Sequence, residues 1–124
     1  MPRQPAALIV EDQPFVGMVA SDILREVGFE TFHAFDAKEA AAVLDEHPEI
    51  GVVIAEAALP GPVNGLELAR RLSRERPDVQ LVLTSAGEGF AKAEIPEGVR
   101  TLHKPYGSGE LRTVVTAKAL LADA

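Results

Sequence analysis

Cysteine and tryptophan are absent from the 124 residues, tyrosine occurs once, and aromatic side chains make up 5%. Without cysteine there can be no disulfide, iron–sulfur cluster, thiolate zinc site or cysteine nucleophile. The three histidines, His33, His47 and His103, are too scattered to show metal-ligand spacing. Positive charge is also short, with 12 Lys and Arg against 19 Asp and Glu and a net charge of −7. That balance is a poor basis for gripping a phosphate backbone, so direct nucleic-acid binding is not expected. No apolar run approaches the roughly 18 residues needed to span a bilayer, so no membrane role is expected. The opening Met-Pro-Arg-Gln-Pro lacks the basic-then-apolar layout of a signal peptide, and a cytoplasmic location is the expectation.

What is present is the balance of one globular domain, 47% hydrophobic and 25% charged. A single domain over 1–124 is expected, its core about 6–121. Ala6–Val10 is a short continuous apolar run, as for a strand buried on both faces. Pro14 opens a helix carrying Val16, Val19, Ala20, Ile23, Leu24 and Val27 at helical spacing, and Gly28 suits its left-handed end. Thr31–Phe35 reads as a second strand. Asp36 with Glu39 forms a capping box for a helix that His47-Pro48 ends. Val52–Ala55 is a third strand, Gly65 to Arg76 a helix, Leu81–Thr84 a fourth strand and Val99–Leu102 a fifth. Ala86–Gly98, with three glycines and a proline, has room for a short helix at most. Ser108 is expected to cap a final helix through Leu111, Val114, Val115 and Leu120. Arg70, Arg71, Arg74 and Arg76 share one helix with Glu67 and Glu75, which reads as a solvated face.

Apolar strands separated by helices imply βαβ units and a parallel sheet. Five of them fit a flavodoxin-like, doubly wound α/β fold of strand order 2-1-3-4-5 with helices on both faces. Ligands in such sheets bind outside the carboxyl ends of the strands. Those ends carry Glu11 and Asp12, Glu56, Ser85, and Lys104 followed by Pro105. In this order the first and third strands are neighbours, so three carboxylates converge and require a counter-charge. A hard divalent cation such as Mg²⁺, held by Glu11, Asp12 and Glu56, is one candidate, and the Lys104 ammonium is the other. No Gly-rich phosphate loop follows the first strand, which argues against a nucleotide binder.

The pieces Leu-Ile-Val-Glu-Asp at 8–12, Leu59-Pro60-Gly61 with Asn64-Gly65, Thr84-Ser85-Ala86 and His103-Lys104-Pro105-Tyr106 together resemble a response-regulator receiver domain, CheY-like, over nearly the whole chain. The resemblance implies Mg²⁺ at Glu11 and Asp12, phosphoryl contacts from Ser85 and Lys104, and a Lys-Pro bond that is often cis. It also implies two-component or phosphorelay signalling with a protein partner: a histidine kinase, a phosphotransfer protein or a downstream effector.

The sequence departs from that family at the phosphoacceptor position, where receivers carry aspartate and this chain carries Glu56. The extra methylene moves the carboxylate by somewhat over 1 Å, a poor fit to in-line phosphoryl transfer, and gives it the reach to meet Lys104. A second departure is Thr101, at a switch position where receivers often carry an aromatic residue. The expected function is a stand-alone, atypical receiver that acts by protein contact without phosphorylation and is not an enzyme. The face around the last strand and last helix is the expected contact surface. The alternative is a conventional receiver phosphorylated by a kinase or phosphotransfer protein.

Overall fold

The structure is a computed structural model that describes residues 4–86 and 95–122, with side chains as far as Val115. Five strands, β1 (Ala6–Val10), β2 (Glu30–Ala34), β3 (Ile50–Glu56), β4 (Gln80–Ser85) and β5 (Arg100–His103), form one parallel sheet. Their order is β2-β1-β3-β4-β5, the expected flavodoxin-like arrangement. Four helices are described: α1 (Pro14–Val27), α2 (Ala37–Glu46), α3 (Gly65–Glu75) and α4 (Ser108–Ala122).

The strand period of two divides the core between the two faces of the sheet. Leu8, Val10, Val53, Ala55, Leu81 and Leu83 pack on one side with Leu44 of α2 and with Leu68 and Leu72 of α3. Ala7, Ile9, Val52, Ile54 and Val82 pack on the other with Leu24 of α1 and with Leu111 and Val115 of α4. Each central strand is therefore covered twice, which is why it reads as wholly apolar. An ion pair between Arg112 and Glu26, 2.5 Å apart, joins α4 to α1 at the surface.

The helix signals have visible causes. Pro14 occupies the first turn of α1, and Gly28 ends it at φ 111°, donating its N–H to the Arg25 and Leu24 carbonyls. Asp36 accepts from the Glu39 N–H at 2.8 Å, while Glu39 reaches back to the Phe35 N–H. The last helix differs from expectation. Its first hydrogen bond runs from the Leu111 N–H to the Gly107 carbonyl, so Gly107 flanks it and Ser108 is already helical. Arg76 also departs from a solvated face, since its guanidinium donates to the Pro48 and Ile50 carbonyls at 3.1 and 3.3 Å. Most of Ala86–Gly98, and the Leu120 side chain, lie outside the described residues.

Gly65 is the close approach on which the site depends. A Cβ there would fall 2.0 Å from the Glu56 carbonyl oxygen and 2.9 Å from the Ala57 Cα. The first turn of α3 therefore lies directly on the end of β3, in a position only glycine can take. Asn64 caps that turn, accepting from the Glu67 N–H at 2.9 Å.

Candidate functional site

Three charged side chains from distant parts of the chain meet at the carboxyl edge of the sheet. Glu11 follows β1, Glu56 is the last residue of β3, and Lys104 follows β5. All three continue the two-residue alternation of Ile9, Ile54 and Leu102, which puts them on the α1/α4 side of the sheet. The Lys104 ammonium donates to Glu11 Oε1 at 2.5 Å and also forms an ion pair with Glu56 Oε2. The carboxylates are buried, with side chains 5% and 7% exposed, and the lysine side chain is 14% exposed.

Backbone amides hold the remaining acceptors. The Gln13 N–H donates to Glu11 Oε2, and the Ala58 N–H donates to Glu56 Oε1, each at 3.2 Å. The Lys104 amide donates to the Ser85 carbonyl at 2.7 Å and fixes where the lysine leaves the sheet. The Lys104–Pro105 peptide bond is cis.

One ammonium faces two carboxylates in a largely dry pocket. Burial raises the Glu11 pKa, the Lys104 hydrogen bond opposes it, and the Glu56 charge adds to the rise, so Glu11 stays above the usual carboxylate range. Burial pulls Lys104 down, but the hydrogen bonds and charges of Glu11 and Glu56 outweigh it and leave the ammonium above the ordinary lysine value. Burial likewise raises the neighbouring Tyr106 phenol. A folded-state pKa above the unfolded one gives stability that is complete below the unfolded value and is lost as pH rises through the folded one. Lys104 and Tyr106 therefore predict a fall in stability beginning near pH 10. Urea midpoints measured from pH 8 upward should decline in that window for the wild type. For a Lys104→Met, Tyr106→Phe double variant the curve should be flatter.

The remaining expected site residues lie apart from this cluster. Asp12 is exposed. Ser85 is one residue beyond Thr84, the residue in register with Glu56, so the strand period turns its side chain the other way. Among the described residues its hydroxyl reaches the Ala86 carbonyl, at 3.5 Å. Thr101 is exposed on β5, in register with Leu83.

Among the described residues no group of three His, Cys, Asp or Glu side chains is arranged to hold a metal ion. The carboxylates that a divalent ion would use are committed to Lys104. In this arrangement the donor set does not fit Mg²⁺.

Two contributors were not anticipated from sequence. Tyr106 lies half-buried beside the charged cluster. The His33 ring, in register with Ile9, makes a 3.1 Å hydrogen bond to the Glu11 carbonyl. His33 also sits over Gly17, where a Cβ would fall 2.7 Å from its Nε2. The period of β2 was the signal for His33, and the signal for Tyr106 was its place two residues after Lys104 in the His103-Lys104-Pro105-Tyr106 piece.

A parallel five-stranded sheet wound on both faces, with paired acids and a lysine at its carboxyl edge, defines a class of small signalling modules. The chain matches the response regulator receiver domain family over residues 7–116 and belongs to it. Such domains are signalling modules rather than typical enzymes, work in two-component systems with histidine kinases and effectors, and typically bind Mg²⁺ at the phosphorylation site.

The chain is 33% identical over 119 residues to the nitrogen assimilation regulatory protein NtrX of Azorhizobium caulinodans, covering 91% of this chain and 25% of that protein. It is 28% identical over 113 residues to the sensor kinase CckA of Brucella abortus, covering 87% of this chain and 12% of the kinase. It thus spans a quarter or less of these two relatives. Among solved structures, the receiver domain of NtrX from Brucella abortus matches at TM-score 0.81 and 27% identity, over 93% of this chain and 98% of that one. A response regulator receiver protein from Sinorhizobium medicae matches at TM-score 0.87 over 98% of both chains; at 20% identity it shows the fold alone. Among the described residues no helix is long and apolar enough to cross a membrane.

Proposed function

We propose that this receiver domain signals by protein contact without being phosphorylated, because Glu56 stands at the acceptor position and its carboxylate occupies the lysine that a phosphoryl group would need. The observation that carries this reading is the Lys104 ammonium set between Glu11 and Glu56. In-line transfer needs nucleophile, counter-charge and phosphodonor aligned together. Here the candidate nucleophile is already paired, and its second oxygen is held by the Ala58 amide.

Glu56 supplies about one negative charge where a phosphoryl group supplies nearly two. It therefore keeps the acid–lysine contact in place without a donor. A cytoplasmic setting and a histidine kinase, phosphotransfer protein or effector as partner belong to the same reading.

The contact surface in this proposal moves from the expected face around the last strand and last helix to the outer face of the first half of α1 together with the end of β2, where the large exposed apolar side chains lie. Phe15 and Met18 are 76% and 62% exposed, and Val19 and Phe35 are also open to solvent. Phe35 meets the His33 ring edge-on at 4.7 Å, and that ring bonds the Glu11 carbonyl, so the apolar ridge adjoins the charged cluster. Exposed apolar side chains gathered in this way favour a protein partner.

Incubation with acetyl phosphate and Mg²⁺, followed by intact-mass measurement, tests the proposal. The wild type should stay unmodified, while a Glu56→Asp variant should gain one phosphoryl group. A stable adduct on wild-type Glu56 would overturn it in favour of a conventional receiver. The intact acidic pair, Ser85 and Lys104 are what that second reading rests on.

A further inference from the structure

Among the described residues, the apolar core on the α1 side of the sheet contains no side chain of β2. Helix α1 meets that strand through a polar seam instead. Gly17 faces His33, and one turn further along α1 Ser21 shares a 2.7 Å hydrogen bond with Thr31. Arg25, a turn beyond, donates to the same Thr31 hydroxyl at 3.2 Å. Four residues of helix and two of strand both advance by about 6–7 Å, which is why Gly17 and Ser21 match His33 and Thr31.

His33 stands where three parts of the molecule converge. Its Nε2 lies 3.1 Å from the Glu11 carbonyl, which can only accept, so that nitrogen carries the ring proton. The ring fills the space over Gly17, where even a methyl would fall 2.7 Å from Nε2. Its edge meets Phe35 at 4.7 Å. One rigid ring thus touches the Glu11 backbone, the first turn of α1 and the exposed Phe35. Glu11 itself is tied at its other polar atoms. Its amide donates to the Ala34 carbonyl at 2.9 Å, its Oε2 accepts from the Gln13 N–H, and its Oε1 holds Lys104.

We propose that His33 is a positioning residue that couples the charged cluster to the apolar ridge of Phe15, Met18, Val19 and Phe35. A change in how Lys104 is shared between Glu11 and Glu56 shifts Glu11 and its carbonyl. The His33 ring carries that shift to Phe35 and to the turn of α1 that bears Phe15 and Met18. Such coupling is reciprocal, so a partner seated on the ridge would in turn bias the cluster. The inference adds a means of regulation to the contact surface proposed above and rests on that reading.

NMR of the full chain carrying Glu56→Gln is the test, read at Phe15, Met18 and Phe35. Glutamine keeps the side-chain shape and removes one of the two charges facing Lys104. Those three residues should shift relative to the wild type, and Ala58, whose amide bonds Glu56, serves as the local control. In a His33→Leu background the ridge shifts should fall by about half or more, while the Ala58 shift persists. His33→Gln should restore them, because its amide nitrogen can donate to the same carbonyl. A ring that only filled space would give one result for leucine and glutamine alike. Lys104→Met, which clears both contacts, is the second perturbation. Ridge shifts of equal size with and without His33 would overturn the proposal and assign the coupling to the Gln13 amide. No ridge shift with either perturbation would also overturn it. A phosphoryl adduct on wild-type Glu56 would instead remove the phosphorylation-independent reading and leave these shifts as they are.

Discussion

Replacing Lys104 with methionine is expected to lower stability at neutral pH by about 3–5 kcal/mol, the loss that follows when one partner of a buried ion pair is removed. Methionine keeps most of the buried volume, so the loss comes from charge and not from a cavity. Glu11 and Glu56, both buried, would then face each other with no cation between them. Glu11, already held above the usual carboxylate range by burial, would take up a proton more readily, and its folded-state pKa would rise further. Acids with raised folded values make the fold more stable at low pH and cost stability as pH rises through those values. The deficit of the Lys104→Met variant should therefore shrink on acidification from pH 7 toward about pH 5.

Urea denaturation of both proteins at the two pH values measures this. A Lys104→Met, Glu56→Gln double variant should recover part of the loss at pH 7, because only one buried carboxylate remains. An equal deficit at both pH values would show that the lysine acts through packing rather than charge.

Gly65→Ala should cost about 2–3 kcal/mol, in the range of strained overpacking, and should loosen the charged cluster as well. The added methyl meets backbone and not a flexible side chain: the Glu56 carbonyl lies 2.0 Å from it. Relief requires the start of α3 or the end of β3 to move, and the end of β3 carries Glu56. The control is Gly51→Ala on the same strand, where a Cβ meets nothing within 4 Å. That change should be neutral or slightly stabilising, since alanine is less costly to order in a strand than glycine. Thermal unfolding ranks the two. NMR shifts of Lys104 should move in the Gly65→Ala protein and stay in place in the Gly51→Ala protein.

Much of the architecture was legible because the local signals agree with one another. Wholly apolar strands alternate with helices opened by Pro14 and Asp36 and closed by Gly28 and His47-Pro48, and each of those markers holds its expected place. The edges of elements were less legible. β3 runs on to include Glu56, and β4 extends to Ser85, because ladder pairing with neighbouring strands, not composition, decides where a strand stops. Gly107 takes the flanking position expected of Ser108, since the choice between adjacent small residues is made by the path of the incoming chain.

By itself the sequence determined the fold class, the strand order and the residue types that collect at the carboxyl edge of the sheet. The class follows from periodicity and the fixed hand of βαβ connections, which act over a few tens of residues, and the order from the flavodoxin-like pattern that five such units fit. Only the tertiary structure decided which of those residues touch. Lys104 lies 93 residues from Glu11 and donates a 2.5 Å hydrogen bond to it, while Asp12, adjacent to Glu11, stays in solvent. Alternation along a strand sends neighbours to opposite sides, and parallel pairing brings together side chains remote in the chain. Partnership at this site is therefore set by strand register, which no short stretch of sequence contains.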